Sequence, residues 1–286
     1  MQSDTVFPLE RVTIVGVINT TPDSFSDGGR LLADSGGVDE ARVLARAEAL
    51  LAGGAHVLDI GGESTRPGAA EVSAREEIAR TAPVIAALAA RFDAPLSIDT
   101  RKAGVAEAAI SAGASVINDV TGLGHDPRVA DVAARSESVL ILGHIRGTPE
   151  TMQDDPGYRD VLAEVAAELE GSIEIARSRG VPTASLVVDP GIGFGKRLED
   201  NLQLIAHAGW LRDRLGLPLL LGPSRKSFLG RITGDPVEAR EVATQAACAV
   251  AAFAGADAVR VHDADSARRA VAIGRALRDA RRKELG

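Results

Sequence analysis

Gly54-Ala55-His56-Val57-Leu58-Asp59, Gly113-Ala114-Ser115-Val116-Ile117-Asn118 and Gly255-Ala256-Asp257-Ala258-Val259-Arg260 share one pattern, and this pattern decides the fold. In each stretch a glycine of the kind that ends helices precedes a short apolar run, and the run ends on a polar residue. The stretches are separated by about two and four times the length of one β-α unit, which takes about 30 to 35 residues. The sequence therefore predicts a chain of repeated β-α units.

Eight apolar runs fit this pattern along the chain, and segments with helical spacing of apolar residues lie between them, for example 38–52, 74–90, 158–179 and 237–254. Continuous apolar runs are typical of parallel strands buried on both faces. Their alternation with helices predicts right-handed crossovers. We expect an α/β fold, a (β/α)8 TIM barrel, with residues 1–286 as a single domain and its core at about 12–280. A doubly wound open sheet is the alternative. The runs are 12–18, 56–60, 95–99, 115–119, 138–143, 185–189, 218–222 and 257–261.

The composition excludes several classes of protein. The chain has 286 residues, of which 45% are hydrophobic and 25% charged, as in ordinary core-forming proteins. A net charge of −8 argues against a nucleic-acid-binding face, and a single cysteine, Cys248, excludes an internal disulfide. No signal peptide is evident, and the longest apolar run, 246–256, is shorter than the roughly 20 residues that span a bilayer. These observations predict a cytoplasmic enzyme or binding protein with no nucleic-acid or membrane partner.

Polar and charged residues follow the predicted strands. Capping of the next helix can explain Asp and Asn at such positions, but it does not call for the Arg, Lys and His that accompany them. In a barrel the carboxyl ends of all strands meet at one rim, so these side chains are expected to share a site. The set suits a polar heterocycle beside an anionic leaving group. Gly191-x-Gly193-x-Gly195-Lys196 fits neither the dinucleotide fingerprint nor the P-loop.

Taken together, these motifs closely resemble the dihydropteroate synthases, the pterin-binding barrel enzymes of bacterial folate biosynthesis. The resemblance runs from about Val12 to the last helix and is specific because all its phrases occur in order. It rests on 19–29, 59–68, 97–100, 118–119, 146–149, 189–196, 224–228 and 260–262. The family joins 6-hydroxymethyl-7,8-dihydropterin diphosphate to p-aminobenzoate and releases diphosphate.

The resemblance implies a role for individual residues of this chain. It implies pterin binding by Asp99, Asn118, Asp189 and Lys226, and diphosphate binding by Asn19, Arg260 and His262, with Asn19 also a ligand of Mg²⁺. It implies p-aminobenzoate binding by Thr65, Arg66, Pro67, Phe194, Lys226 and Ser227. Phe25 and Asp27 match a mobile first loop; together with Asp99, Asp189 and Lys226 they form the predicted catalytic set.

The implied mechanism needs no enzyme nucleophile. Mg²⁺, Arg260 and His262 stabilise the departing diphosphate, and the carboxylates of Asp99 and Asp189 favour a delocalised pterin methylene cation. The arylamine then attacks this cation, with the loops 19–37 and 61–70 closed against water. The resemblance also implies a homodimer packed through barrel helices and makes the chain a potential sulfonamide target.

Two positions depart from the family pattern, and they leave alternatives open. Thr20 replaces a small aliphatic residue, and Gly143 replaces a Met that commonly packs against the pterin, so a gap is expected there. A pterin-binding homologue with altered specificity or without synthase activity is therefore the alternative function. A corrinoid-linked methyltetrahydrofolate methyltransferase is a further rival, against which the 64–67 and 224–227 motifs argue.

Three polar residues near the rim are expected to be structural or peripheral. His144 is interpreted as structural, and Lys196 as a solvated or helix-start residue. Glu63 is interpreted either as catalytic or as a tether of its loop.

Overall fold

A closed ring of parallel strands forms the centre of the molecule. The computed structural model describes residues 6–21, 39–64, 68–69, 71–154 and 156–284. Within them eight strands form one parallel sheet, in which the first strand of the chain pairs with the second and the eighth, and the sixth and seventh strands lie at the two ends. A parallel bridge between Val188 and Leu219 joins the two ends of the sheet. The predicted (β/α)8 barrel is confirmed, and the open sheet is wrong.

Every predicted strand is present: the first two keep the predicted length but lie one residue later in the chain, and the other six are shorter than predicted. The bounds are Thr13–Asn19 (β1), Val57–Gly61 (β2), Leu96–Asp99 (β3), Val116–Asp119 (β4), Val139–Leu142 (β5), Leu186–Val188 (β6), Leu220–Leu221 (β7) and Ala258–Val261 (β8).

Helices connect consecutive strands on the outside of the barrel. Their bounds are Glu40–Ala52 (α1), Ala74–Arg91 (α2), Ala103–Ser111 (α3), Arg128–Ser136 (α4), Val161–Ser178 (α5), Leu198–Ala206 (α6), Ala208–Leu215 (α7), Ser227–Thr233 (α8), Glu241–Ala254 (α9) and Ala264–Glu284 (α10). The helix predicted over 158–179 begins later, because the Asp160 side chain accepts a hydrogen bond from the backbone of Ala163 and caps α5. None of the described helices is long and apolar enough to cross a membrane.

Alternation along the strands builds two layers inside the barrel. Successive strand residues point to opposite faces, so residues two apart share the interior. The lower layer is apolar and buried; it includes Val15, Val57, Val116, Val139, Val187, Leu220 and Ala258. Two residues further along their strands, the same interior face carries Asp59, Asn118 and Arg260. The strand period therefore places a charged layer directly above an apolar floor.

The close packing of β4 and β5 bears on Gly143, where the sequence predicted a gap. A Cβ on Gly143 would lie 2.6 Å from Val120 Cα and 2.8 Å from the Asp119 carbonyl oxygen. It would meet backbone rather than open space. A glycine at this position allows the segments after the two strands to touch.

Replacing Gly143 by alanine is expected to destabilise the fold by about 1–3 kcal/mol, since backbone atoms must move to admit the methyl group. Gly171→Ala is the matched control, because Gly171 lies inside α5 and a Cβ there meets nothing within 4 Å. That substitution should stabilise the fold by about 0.5–1 kcal/mol through helix propensity. Urea unfolding of both variants measures the difference, and equal stabilities would contradict the close packing at Gly143.

Candidate active site

A cavity of about 570 Å³ opens at the carboxyl ends of the strands. The residues predicted from the resemblance that line it are Asn19, Asp99, Asp189, Phe194, Lys226, Ser227, Arg260 and His262. Two concavities of similar volume, about 630 and 660 Å³, lie among the outer helices and are lined by residues outside the predicted set. The barrel mouth is therefore the candidate site.

Arg260 joins two interior carboxylates at the base of the cavity. Its Nε donates to Asp59 Oδ2 at 2.6 Å, and its Nη2 donates to Asp99 Oδ2 at 2.7 Å. Asn118 Nδ2 lies 3.3 Å from the same Asp59 oxygen. Asp59 is fully buried, and its other oxygen has no hydrogen-bond partner among the described residues. Its negative charge consequently depends on Arg260 for compensation.

Burial and the neighbouring charges shift the pKa values of Asp99 and Arg260. Burial raises the pKa of Asp99 to about 7 despite the opposing effects of Arg260 and Lys226; the charges of Asp59 and Glu77 add to the rise. Burial alone would lower the pKa of Arg260, but Asp59 and Asp99 outweigh it and raise that pKa above its usual value. The guanidinium therefore stays charged while the Asp99 carboxyl titrates near neutrality.

Asp189 approaches the cavity from the opposite side of the barrel. It follows β6, and its Oδ1 accepts a hydrogen bond from the backbone N–H of Gly191 at 2.8 Å. Burial raises its pKa, and this hydrogen bond and the charge of Lys226 act in the opposite direction. The carboxylate is thus held in a fixed orientation by the start of its own loop.

The turn after β7 aims Lys226 into the cavity. Arg225 has a φ of +58°, in the left-handed region that non-glycine residues rarely adopt. Two contacts with α9 hold it there: its backbone N–H donates to Thr244 Oγ1 at 3.0 Å, and its Nε lies 3.4 Å from Glu241 Oε2. The next residue, Lys226, places its Nζ 3.7 Å from the centre of the Phe194 ring, a cation–π contact.

The His262 ring is neutral and contacts the hydroxyl group of Ser224. Burial, with Arg225 and Arg260 nearby, lowers its pKa well below the usual value. Its backbone N–H donates to Ser224 Oγ at 3.3 Å, and its Nδ1 lies 2.9 Å from the same oxygen. Since a neutral ring carries one N–H, that N–H is on Nε2 when the Ser224 hydroxyl donates to Nδ1. In that tautomer His262 offers a donor to an anion in the cavity.

Asn19 is the residue of the cavity that the resemblance assigns to Mg²⁺. Asn19 ends β1 and lines the cavity, and its amide oxygen is a ligand type that Mg²⁺ accepts. Among the described residues no group of three or more His, Cys, Asp or Glu side chains could hold a metal ion. This donor set fits an ion that is held mostly by substrate phosphates and water.

Glu63 lies in a buried ionic network beside the cavity. Its carboxylate accepts from Arg101 Nε at 3.0 Å and from Lys102 Nζ at 3.0 Å, and Lys102 also donates to Glu77 at 2.7 Å. Val72 donates its backbone N–H to Glu63 at 2.9 Å. Of the two interpretations of Glu63, this geometry supports the tether, since both carboxylate oxygens are occupied within the protein.

The interpretation of Lys196 as solvated is wrong. Lys196 is only 4% exposed, and its Nζ lies 2.9 Å from His144 Nδ1, which is buried as well. Burial lowers the pKa of Lys196 to about 7, against the charges of Asp189 and Glu168. Sequence alone could not reveal this, because the partner residue lies in a different β-α unit.

Comparisons with known proteins agree with the barrel fold described above. The sequence matches the family described as pterin binding enzyme over residues 15–262. The dihydropteroate synthase of Synechocystis sp. is 45% identical over 258 residues, which span 90% of this chain and 87% of the relative. This chain belongs to the pterin binding enzyme family.

Solved structures of the family agree. The Yersinia pestis dihydropteroate synthase in a sulfonamide drug complex has a TM-score of 0.89 at 42% identity, covering 95% of this chain and 96% of that one. The Xanthomonas albilineans dihydropteroate synthase in complex with 7,8-dihydropteroate has a TM-score of 0.81 at 39% identity, covering 94% of each chain. The predicted family, barrel and enzyme class are confirmed.

Some predicted residues of this pterin binding enzyme are not placed by the structure, and one was missed. Phe25, Asp27, Thr65, Arg66 and Pro67 lie outside the described residues. Asp59 ends one of the three sequence stretches, but the resemblance gives it no role in the site. The signal was present in the repeats, because Asp59, Asn118 and Arg260 occupy the same position in the three stretches and meet in space.

The pH dependence of pterin use should report the ionisation of Asp99. The ionised carboxylate accepts hydrogen bonds from pterin N–H groups more strongly than the protonated carboxyl, and with a pKa of about 7 it ionises as the pH rises through neutrality. We expect kcat/KM for the pterin diphosphate to rise between pH 6 and 8. Asp99→Asn should be slower and lack this rise, which separates Asp99 from ionisation of the substrate. Parallel profiles would contradict the assignment.

Ser224→Ala should disturb the tautomer of His262. In the wild-type chain, ¹⁵N NMR should show a neutral ring protonated at Nε2. The alanine variant should show a mixture of tautomers, and its kcat/KM for the pterin diphosphate should fall by about tenfold for the lost hydrogen bond. Ser224→Thr keeps the hydroxyl and is the control. A wild-type ring protonated at Nδ1 would refute the arrangement.

Proposed function

We propose that this chain condenses 6-hydroxymethyl-7,8-dihydropterin diphosphate with p-aminobenzoate to give 7,8-dihydropteroate and diphosphate. One observation carries the proposal: acidic and basic side chains converge on a single cavity. Arg260 joins two of the acidic ones, Asp59 and Asp99. The product complex of the Xanthomonas relative supports the same chemistry.

The pterin binds deep in the barrel mouth in this proposal. Asp99 at the end of β3, Asp189 after β6 and Lys226 in the turn after β7 line the cavity. Asn118 lies on β4 beside Asp59. Carboxylate and amide oxygens accept hydrogen bonds from the amino and ring N–H groups of a pterin, while Lys226 and the Asn118 amide group donate to its ring nitrogens and carbonyl oxygen. The fixed side chains lower the ordering cost of binding.

The diphosphate binds at the β1 and β8 side of the cavity. Arg260 and the Nε2–H of His262 donate hydrogen bonds to its oxygens, and Asn19 would hold the accompanying Mg²⁺. When bound, Mg²⁺ supplies charge neutralisation of the leaving diphosphate. Arg260 is suited to this role because its two carboxylate partners keep it charged.

The arylamine binds near the cavity entrance. Phe194 offers a ring face, and Lys226 and Ser227 offer donors for the carboxylate of p-aminobenzoate. Thr65, Arg66 and Pro67 complete this subsite in the proposal, and Phe25 and Asp27 of the first loop cover the reacting atoms.

The reaction is then a substitution at the pterin methylene carbon. Its bond to the diphosphate oxygen breaks, and the electron pair leaves with diphosphate. The carboxylates of Asp99 and Asp189 stabilise the positive charge that spreads over the pterin. The arylamine nitrogen forms the new bond to the methylene carbon and loses a proton.

The homodimer, the dependence on Mg²⁺ and the cytoplasmic location are also part of the proposal. A homodimer is supported by exposed apolar side chains on the adjacent helices α9 and α10, including Val242, which is 82% exposed, and Ile273, which is 63% exposed. Sedimentation velocity tests it.

The deciding assay supplies the pterin diphosphate and p-aminobenzoate with and without Mg²⁺. We expect Mg²⁺-dependent release of diphosphate and formation of 7,8-dihydropteroate. Lys226→Ala should lower kcat/KM for both substrates by about tenfold or more, because it contacts both subsites. Arg231→Ala, an exposed cation on the same helix α8, is the control and should leave both constants unchanged. Binding of the pterin without turnover would instead favour a homologue without synthase activity.

A further inference from the structure

A buried polar cluster lies beneath the loop that carries Phe194, and the proposed reaction does not use it. Lys196 and His144 are each only 4% exposed. Tyr158 and Arg146 pack beside them, with the Arg146 guanidinium carbon 4.0 Å from the centre of the Tyr158 ring. Burying this many polar groups costs free energy unless each is well paired, so the contacts of the cluster are informative.

The amino group of Lys196 is the centre of the cluster. Its Nζ donates to the Phe194 carbonyl oxygen at 2.9 Å and lies 2.9 Å from His144 Nδ1. The His144 carbonyl oxygen lies further away, at 3.5 Å, and the Tyr158 ring centre is at 5.9 Å. Lys196 therefore links the loop after β6 to the segment after β5.

The directions of these hydrogen bonds follow from Glu168. Its carboxylate accepts hydrogen bonds only, since its hydrogen bond with His144 lowers its pKa to about 2, with Arg146 adding to the effect. Glu168 Oε2 lies 2.8 Å from His144 Nε2, so Nε2 carries the ring proton. Burial lowers the pKa of His144, so the ring is neutral and Nδ1 is left as an acceptor. Lys196 is consequently the donor, whether its amino group is charged or neutral.

The loop that Lys196 holds is fixed at Gly193 by two other side chains: Asn201 Oδ1 accepts from the Gly193 N–H at 2.6 Å, and Gln153 Nε2 donates to the Gly193 carbonyl oxygen at 3.0 Å. Gly191, Gly193 and Gly195 all have φ values in the left-handed region, at +70°, +83° and +61°. A Cβ on Gly191 would lie 1.8 Å from the His144 carbonyl oxygen, and one on Gly195 would lie 2.5 Å from that of Arg146. The loop thus packs backbone against backbone on residues 144–146. Lys196 supplies a side-chain contact to the carbonyl of the residue whose ring faces the cavity.

We propose that Lys196 is a positioning residue for the arylamine: its amino group contacts His144, which Glu168 holds in turn, and it binds the Phe194 carbonyl and thereby fixes the Phe194 ring at the p-aminobenzoate subsite. This inference rests on the proposed function for the identity of the arylamine. On the cavity side, the Phe194 ring lies 3.7 Å from Lys226 Nζ, measured from the ring centre. A merely structural lysine would affect stability without distinguishing the two substrates.

The first test compares the two Michaelis constants in Lys196→Met, which keeps the length of the side chain and removes the donor. We expect KM for p-aminobenzoate to rise roughly tenfold, as for one lost hydrogen bond, with KM for the pterin diphosphate within about twofold of wild type. Tyr158→Phe is the matched control, because Tyr158 Oη is buried without a hydrogen bond to any described residue. It should change neither constant. Equal shifts for both substrates, or a lower Tm with unchanged constants, would overturn the proposal.

The second test asks whether Lys196 acts through Phe194. In a Phe194→Ala background, Lys196→Met should add nothing further to KM for p-aminobenzoate, whereas independent roles would give multiplicative effects. Labelling with 4-fluorophenylalanine gives a readout without turnover: Lys196→Met should shift the Phe194 ¹⁹F resonance, assigned with Phe194→Leu, and Tyr158→Phe should not. An unshifted resonance refutes the positioning role.

The two proposals fail separately. Absence of turnover by the wild-type chain defeats the proposed function, while the ¹⁹F result still decides the role of Lys196. Should Lys196→Met not fold, Glu168→Gln replaces it, because this side chain is 43% exposed and the change leaves an acceptor for His144. A smaller shift of the Phe194 resonance is then expected, and no shift contradicts the proposal.

Discussion

The interior of the barrel depends on one guanidinium. Arg260 donates to Asp59 and Asp99 at 2.6 and 2.7 Å above a floor of apolar side chains, where an uncompensated carboxylate would be costly. The three residues come from three parallel strands, β2, β3 and β8. Their contacts form only when the barrel brings β8 and β3 together across β1 and β2. The same guanidinium belongs to the proposed diphosphate subsite, and Asp99 belongs to the proposed pterin subsite. One ion pair network therefore connects the folding of the barrel with both ends of the first substrate.

The sequence predicted those parts of the molecule that depend on local pattern. Apolar runs, helix-ending glycines and polar strand ends are local, and they predicted the eight strands and the rim where the polar residues meet. Lys196 shows the limit, because its burial is decided by His144 in another β-α unit, and a buried lysine has the same local sequence as a solvated one. Thr20 shows a milder form of the limit: its departure from the family pattern is explained once its hydroxyl is seen to donate to the Gly61 carbonyl at 3.0 Å.

Two loops at the rim reach a fixed shape by different physical means. The loop after β6 uses glycines with positive φ, whose missing side chains let backbone pack on backbone. The turn after β7 instead forces Arg225 into the left-handed region and offsets that strain with hydrogen bonds to α9. The first loop is held by side chains that bind its backbone: Asn201 accepts from the Gly193 N–H, and Lys196 donates to the Phe194 carbonyl oxygen. The second carries its anchor within the turn. Phe194 and Lys226, one from each loop, then meet in the cavity.

The basic side chains of Arg260 and Lys196 differ in a way that suits their roles. Arg260 contacts two carboxylates, and these raise its pKa, so it remains charged at any pH at which the protein is folded. Lys196 contacts a carbonyl oxygen and a neutral imidazole, which compensate charge poorly, and burial lowers its pKa to about 7. A residue that must attract a diphosphate needs a permanent charge. A residue that only has to hold a carbonyl needs a donor, and a neutral amine still provides two N–H groups. Loss of the Lys196 proton near neutral pH therefore removes the burial cost of a charge without removing the hydrogen bond to Phe194.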